Sequence, residues 1–297
     1  LLFVSSNFWR IHTDVGQIYI FYILSLSLSY GLLQKENSVK KFLAGCLIGL
    51  TASLRFPIIL MTIPMIIFKE FKILGATIFS FCLCLSASVW MAGKQAWMSY
   101  FSAMQTIGKL NIGKISLSTN TENIVLPKTI EGIRNLTGMY GILQYDSSLQ
   151  SNLKKYLNFT LSTNYLLLSI FLILLVYAGT VYFLYTKKMS NDKNVSLDMI
   201  FMTGTLMILI AELLLPAPRY SYSDIQLLIP FLLIVKNLDF SNDITLLSFG
   251  CLLICLFLTI GLFSWLPYGM LLGEYAIVII MMVMSLVLHS RNRNISI

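Results

Sequence analysis

A single arginine lies inside a long apolar run, where a charged side chain usually has a function. Arg55 is the only charged residue of residues 42–68, and Pro57 and Pro64 follow it. A buried charge costs about 2.5–3.5 kcal/mol on membrane-insertion scales, so such residues mark functional sites by default. The planar guanidinium suits phosphate oxygens, and a lipid-linked phosphate is the anion available at that depth. The alternative is an arginine that snorkels at a helix end or pairs with a membrane acid such as Glu212.

The second candidate is a loop that contains two prolines, PAPRYSYSD, at residues 216–224. We predict that Arg219 binds a donor phosphate and that Tyr220, Tyr222 and Asp224 bind the substrate. Carboxylates bind sugar hydroxyls, aromatic rings pack on the pyranose face, and the prolines stiffen the loop. Tyrosine and arginine are also common anchors at a membrane interface, so an anchoring loop is the alternative.

A third group of polar residues precedes the first long apolar segment. Asp14 is a candidate general base toward an acceptor hydroxyl, and His12 and Gln17 are candidate substrate-binding residues. Aspartate is also a good N-cap, so capping of the following helix is the alternative. His12 and His289 lie far apart in the sequence and on opposite predicted sides of the membrane, so we predict no metal site.

These residues belong to a chain with the composition of a membrane protein. It is 57% hydrophobic and 11% charged, with a mean hydropathy of +0.79, which indicates a polytopic all-α membrane protein. The net charge of +8 comes from basic loops. No basic stripe with interleaved aromatic residues indicates a nucleic-acid surface, so we expect no nucleic-acid partner. All five cysteines lie in apolar runs and are interpreted as membrane-buried side chains.

The apolar run around Arg55 is too long for one untilted span. At about 1.5 Å per residue, residues 42–68 would form a helix of about 40 Å, whereas the hydrocarbon core is about 30 Å thick. Pro57 disfavours helical geometry at the residue before it. We therefore predict two shorter helices, 42–54 and 57–68, that form a re-entrant hairpin with Arg55 at the turn. The positive-inside rule favours this arrangement over a single span, since it gathers more of the basic residues on one side.

The remaining chain predicts a single transmembrane domain, residues 1–297, with one large outward loop at residues 91–162. Amphipathic helices are predicted in this loop, the first of them at residues 94–110. Gly45 and Gly49 form a small-x-x-x-small face that predicts close helix packing. Other apolar segments are predicted as membrane-embedded helices, at residues 16–33, 73–90, 165–185, 196–215, 225–235, 244–263 and 270–288.

Three features in this order resemble glycosyltransferase family 87. They are Gly16-Gln17 opening a long apolar helix, the segment AGCLIGLTASL leading into Arg55-Phe56-Pro57, and the loop PAPRYSYSD with Pro230 after it. The resemblance covers most of residues 12–235 and implies a GT-C-like helical bundle. This family includes polyprenol-phosphate-mannose-dependent mannosyltransferases. It usually has lysine two residues before the proline, where this chain has arginine.

The resemblance implies transfer of a hexose, expected to be mannose, from a polyprenyl-phosphate sugar. The acceptor is expected to be a glycan or glycolipid at the outer or periplasmic face of a bacterial inner membrane. The lipid-linked sugar is the donor substrate, and no cofactor is expected. By the resemblance, Arg55 becomes a donor-phosphate ligand, while Arg219 and Tyr220 become site-loop residues. The base in such enzymes is commonly an aspartate near the N-terminus. Since the chain begins on LLFV without methionine, we expect the natural N-terminus and that base to lie upstream.

Two other classes of membrane protein are weaker matches to these features. An O-antigen polymerase or ligase would share the lipid-linked donor and the large outward loop, and it is the nearest alternative. A transporter would need charged groups spread through several mid-membrane helices, whereas Arg55 and Glu212 are almost the only ones here. A purely structural scaffold would leave Arg55 and the loop at residues 216–224 without a role.

Overall fold

The structure is a computed structural model, and every regular element in the part of the chain that it describes is a helix. It describes residues 19–35, 37–111, 148–186, 193–215, 219, 221–241, 243–259 and 269–291. The α-helices are α1 (Tyr19–Leu33), α2 (Ser38–Leu54), α3 (Thr62–Ile67), α4 (Phe71–Asn111), α5 (Leu149–Leu157), α6 (Thr163–Thr186), α7 (Lys193–Leu214), α8 (Leu228–Lys236), α9 (Asp243–Thr259) and α10 (Gly269–Arg291). The 3-10 helices Phe56–Met61 and Ser221–Leu227 lead directly into α3 and α8.

Within the described ranges, four helices are long and apolar enough to cross a membrane. Their candidate spans are Phe71–Ala103, Thr163–Thr186, Leu197–Leu214 and Leu272–Ser290. In α7, 94% of the span is buried by other helices, against 22% for the spans of α4 and α6. Helix α7 is therefore the centre of the bundle, and the predicted class of all-α polytopic membrane protein is confirmed.

The predicted hairpin is present. Helix α2 ends at Leu54, and Arg55 has an extended backbone with φ of −141° and ψ of 98°. The 3-10 helix and α3 then return the chain, because Lys41 Nζ and Glu70 Oε2 form an ion pair of 2.9 Å. Lys41 lies in the first turn of α2 and Glu70 follows α3, so both ends of the hairpin lie on the same side. The non-helical residue is Arg55 itself, one residue earlier than Pro57 predicts, and Pro57 lies at the start of the 3-10 helix.

The predicted glycine face packs helix α2 against α4. A Cβ atom on Gly45 would lie 2.6 Å from Ala76 Cβ and 2.7 Å from the Ile73 carbonyl oxygen. Gly49 likewise faces α4, where an added Cβ atom would lie 2.9 Å from the Ser80 Cβ atom. Only glycine permits this approach, so the interface holds the first arm of the hairpin against a membrane-crossing helix.

Helix α4 continues past the predicted end of its span at Trp90 and bends at Gly93. This glycine has φ of 79° and ψ of 158°, a conformation that side chains exclude. The part after the bend is the predicted surface helix. The rings of Trp97, Tyr100 and Phe101 contact one another along it, with centroids 5.6–5.9 Å apart. The next predicted helix in this loop, at residues 128–143, lies outside the described residues, and the sequence did not predict α5.

Polar contacts mark the two ends of the bundle. Lys236 Nζ pairs with Asp198 Oδ2 at 2.9 Å near the start of α7, and Gln226 Nε2 donates to Glu212 Oε2 at 2.8 Å near its end. The two levels are roughly 21 Å apart at 1.5 Å per residue of α7. We call the Lys236 level the inner end, following the positive-inside rule, and the Glu212 level the outer end.

Replacing Gly45 with alanine should destabilise the protein, since the new methyl group would clash with atoms that cannot move independently of the backbone. Overpacking of this kind costs about 1–3 kcal/mol. Thermal unfolding of the purified protein in detergent measures the effect. Gly75→Ala is the matched control, because nothing lies within 4 Å of a Cβ atom there. An equal loss in both variants would contradict the packing role of Gly45.

Candidate functional site

Arg55 lies at the tip of the hairpin, at the outer end of the bundle. Helix α2 carries it about 25 Å from Ser38 at the inner end, close to the thickness of the hydrocarbon core. Its backbone N–H still donates to the Thr51 carbonyl oxygen at 3.0 Å, and its carbonyl oxygen accepts from the Ile58 N–H at 3.1 Å. The residue is thus fixed at the change of direction rather than buried mid-membrane.

A chain of hydrogen bonds connects Arg55 to three other elements. Its Nε donates to Glu212 Oε1 of α7 at 2.6 Å. The second Glu212 oxygen accepts from Gln226 of the 3-10 helix Ser221–Leu227, and the Gln226 carbonyl oxygen accepts from the Tyr22 hydroxyl of α1 at 3.3 Å. The bonds run in one direction toward the carboxylate, so Glu212 is the common acceptor of the network.

The guanidinium is only partly enclosed by this network. The Arg55 side chain is 25% exposed, whereas the Glu212 side chain is 3% exposed. The Arg55 guanidinium carbon lies 4.1 Å from the centroid of the Tyr19 ring, a favourable cation–π contact. Because Glu212 takes the Nε edge, the terminal nitrogens are the part of the group that could contact a bound anion.

Glu212 occupies a position where a carboxylate is otherwise unfavourable. It lies in the last turn of α7, where the helix dipole is negative. It is also buried, which adds the cost of desolvating its charge. The Arg55 guanidinium and the Gln226 amide compensate for both effects.

A second ion-paired group adjoins the first. Arg219 is 3% exposed and donates through Nη1 to Asp224 Oδ1 at 3.0 Å, and the same nitrogen contacts Glu274 of α10. Asp224 and Gln226 lie two residues apart on one 3-10 helix, so the two groups form one outer polar cluster. Arg219 thereby connects its own loop to α10.

The outer polar cluster carries more carboxylates than guanidinium groups. Its charged members are Arg55, Arg219, Glu212, Asp224 and Glu274, all in the described part of the chain. Asp224 lies in the loop region outside the candidate spans, and burial raises the pKa of its carboxyl to about 6 although Arg219 opposes the shift. A proton on Asp224 at mildly acidic pH would balance the charges and favour an anionic ligand.

The described residues around Arg55 enclose a small cavity. It has a volume of about 160 Å³ and lies between α1 and α2, with Tyr22, Ser25, Thr51 and Arg55 among its lining residues. Ser25 and Thr51 share a hydrogen bond of 2.6 Å across it. The cavity extends from the guanidinium along the apolar faces of the two helices.

The structure brings together three of the predicted site residues, Arg55, Arg219 and Asp224. Residues His12, Asp14, Gln17 and Tyr220 lie outside the described residues, and for Tyr222 only the backbone is described. The roles predicted for all of these residues stay predictions.

Several members of the outer polar cluster were missed by the sequence analysis. They are Tyr19, Tyr22, Gln226 and Glu274. Glu274 had a usable signal, since it is an acid inside an apolar segment and such residues need a partner. The other three are ordinary for a membrane interface, and only their contacts distinguish them.

Comparison with known proteins identifies one family. The model of glycosyltransferase family 87 matches residues 1–211. The match includes the hairpin and Arg55 and ends one residue before Glu212, so the loop at residues 216–224 lies outside it. No curated protein and no solved structure matches the chain.

The Arg55–Glu212 pair should show a larger coupling energy than an ion pair with two more exposed side chains. Each of Arg55→Gln and Glu212→Gln should lower the unfolding temperature, because each leaves a charge without its partner. We expect the double variant to lose less than the sum, with a coupling of about 1–3 kcal/mol. The same cycle on Lys41 and Glu70, whose side chains are 28% and 30% exposed, should give under about 1 kcal/mol. Equal coupling in both cycles would show that the Arg55 pair has no special role in stability.

Proposed function

Since the chain belongs to glycosyltransferase family 87 and is therefore a membrane glycosyltransferase, we propose that its donor is a polyprenyl-phosphate hexose, with mannose as the sugar. The acceptor is a hydroxyl of a glycan or glycolipid at the outer face. The enzyme acts as a GT-C-type hexosyltransferase in a bacterial inner membrane. The observation that carries this proposal is the partly exposed guanidinium of Arg55 at the outer tip of the hairpin.

Arg55 binds the donor phosphate in this proposal. The Nε edge donates to Glu212, which holds the plane of the guanidinium in one orientation. The terminal nitrogens then face the phosphate with a fork that matches two of its oxygens. A donor group fixed before the reaction stabilises developing negative charge without reorganisation, which is why such groups contribute strongly to rate.

The reaction requires one bond exchange at the anomeric carbon. The bond from C1 of the sugar to the phosphate oxygen breaks, and its electron pair stays on the phosphate that Arg55 neutralises. A bond from C1 to the acceptor oxygen forms, and a carboxylate base takes the acceptor proton. Asp14 or an aspartate upstream of Leu1 is the proposed base. Glu212, Asp224 and Glu274 are occupied by arginine partners in this structure.

The loop at residues 216–224 forms the side wall of the proposed site. Arg219 is proposed as a second phosphate ligand, with Tyr220, Tyr222 and Asp224 toward the sugar. His12 and Gln17 are proposed to contact the substrate from the N-terminal side. The ion pairs of Arg219 with Asp224 and Glu274 support an additional role for Arg219 in positioning this loop against α10.

Removing the Arg55 side chain should lower the rate of transfer from polyprenyl-phosphate mannose by about 100–1,000-fold, the effect of losing one preorganised charge-stabilising donor. Arg55→Lys should retain at least about ten times the rate of Arg55→Ala, because an ammonium group neutralises the phosphate but cannot bind two of its oxygens in one plane. The measurement is the initial rate of radiolabelled sugar transfer with purified protein in lipid nanodiscs.

Lys94→Ala is the control, since Lys94 lies on the surface helix after the Gly93 bend, and its rate should equal that of the wild type. Unfolding temperatures of all variants show whether the folded state persists. A wild-type rate in Arg55→Ala would remove the leaving-group role. Transfer that requires a polyprenyl-diphosphate oligosaccharide would identify a polymerase or ligase instead.

A further inference from the structure

A cavity of about 550 Å³ opens at the inner end of the bundle, at the opposite end from the outer polar cluster. It lies where the two arms of the hairpin meet α4 and α7. Its lining includes Lys41, Lys69, Lys72 and Glu70, with Asn37 and Ser38 at the start of α2. The volume is in the range of sites that hold small molecules.

The charged side chains in this lining favour an anion. Three lysines face one glutamate there, and Lys41 pairs with Glu70 at 2.9 Å. Lys69 and Lys72 are exposed, and neither makes a side-chain hydrogen bond or ion pair with the described residues. Two ammonium groups at the cavity therefore remain available for a ligand.

The backbone adds positive potential at the same place. Helix α2 begins at Ser38 and helix α4 at Phe71, and the first residues of both helices line the cavity. The first N–H groups of a helix have no acceptor within it, and the helix dipole is positive at that end. Two helix starts that converge with lysines form the arrangement that binds phosphate groups.

Lys69 adopts a backbone conformation that a lysine rarely takes. Its φ is 58°, and its N–H donates to the Ile66 carbonyl oxygen as α3 ends. Glycine or asparagine is the usual residue at such a helix end. The conformation turns the chain so that Lys69 and Lys72 both reach the cavity from the segment between α3 and α4.

We propose that this inner cavity binds a phosphate group, and that the headgroup of an anionic phospholipid is its natural source. The cavity opens at the level where the inner leaflet presents its headgroups, and basic pockets between membrane helices recognise such lipids. The site is separate from the proposed sugar-transfer site at the outer end, so either proposal can fail without the other.

Titration of the purified protein in a neutral detergent tests the proposal without a charged membrane surface. Short-chain phosphatidylglycerol should raise the unfolding temperature and bind saturably, whereas short-chain phosphatidylcholine should bind at least about tenfold more weakly. In Lys69→Gln/Lys72→Gln, affinity for phosphatidylglycerol should fall roughly 30-fold, since each lysine contributes about a fivefold factor.

Lys35→Gln/Lys40→Gln is the matched control. It removes the same charge from the same end of the bundle, but neither lysine lines the cavity. Its affinity should change less than about threefold. Equal losses in the two double variants, or equal binding of the two lipids, would overturn the proposal.

Inorganic phosphate at matched ionic strength distinguishes the sources of the anion. Binding of the lipid alone supports a headgroup site, and equal binding of phosphate supports a site for the free ion with the same chemistry. Should the double variant not fold, Lys72→Gln alone tests the same contact, because Lys72 is an exposed residue in the first turn of α4. Its affinity should fall about fivefold, and an unchanged affinity would contradict the proposal.

Discussion

The cost of holding a carboxylate at the buried end of a helix determines how the outer half of this protein is built. Glu212 is almost completely enclosed, and the dipole of α7 disfavours its charge. A buried charge persists only when it is paired and its remaining oxygen accepts a hydrogen bond. Arg55 and Gln226 meet those two needs, which fixes the hairpin tip and the 3-10 helix of residues 221–227 against the central helix.

The same requirement explains why the tip of the hairpin is irregular. An arginine within a continuous helix would point its side chain along one face, whereas the extended backbone at Arg55 directs it across to α7. The glycine face on α2 lets α4 support the hairpin from behind. Close packing on one side and ion pairing on the other therefore position one guanidinium, and the family assignment suggests why its position matters.

The sequence was sufficient for the features that depend on local pattern. The length of residues 42–68, Pro57 and the lysines on either side predicted the hairpin, and the spacing of Gly45 and Gly49 predicted its contact with another helix. Apolar runs placed the other membrane helices to within a few residues. The bend at Gly93 was missed because a lone glycine in an apolar segment is common. Contacts between residues distant in sequence, such as Tyr22 with Gln226 and Arg219 with Glu274, leave no local pattern and needed the fold.

The bend in α4 has a mechanical consequence for the whole molecule. The helix crosses the bilayer up to Gly93 and then carries the aromatic side chains of Trp97, Tyr100 and Phe101, which are typical of the headgroup layer. Since the bend depends on one residue without a side chain, the two parts of the helix meet at an angle that neither part sets alone. A thicker or thinner bilayer would thus be accommodated by rotation at Gly93, while the angle of the hairpin and of Arg55 to the central helix stays constant.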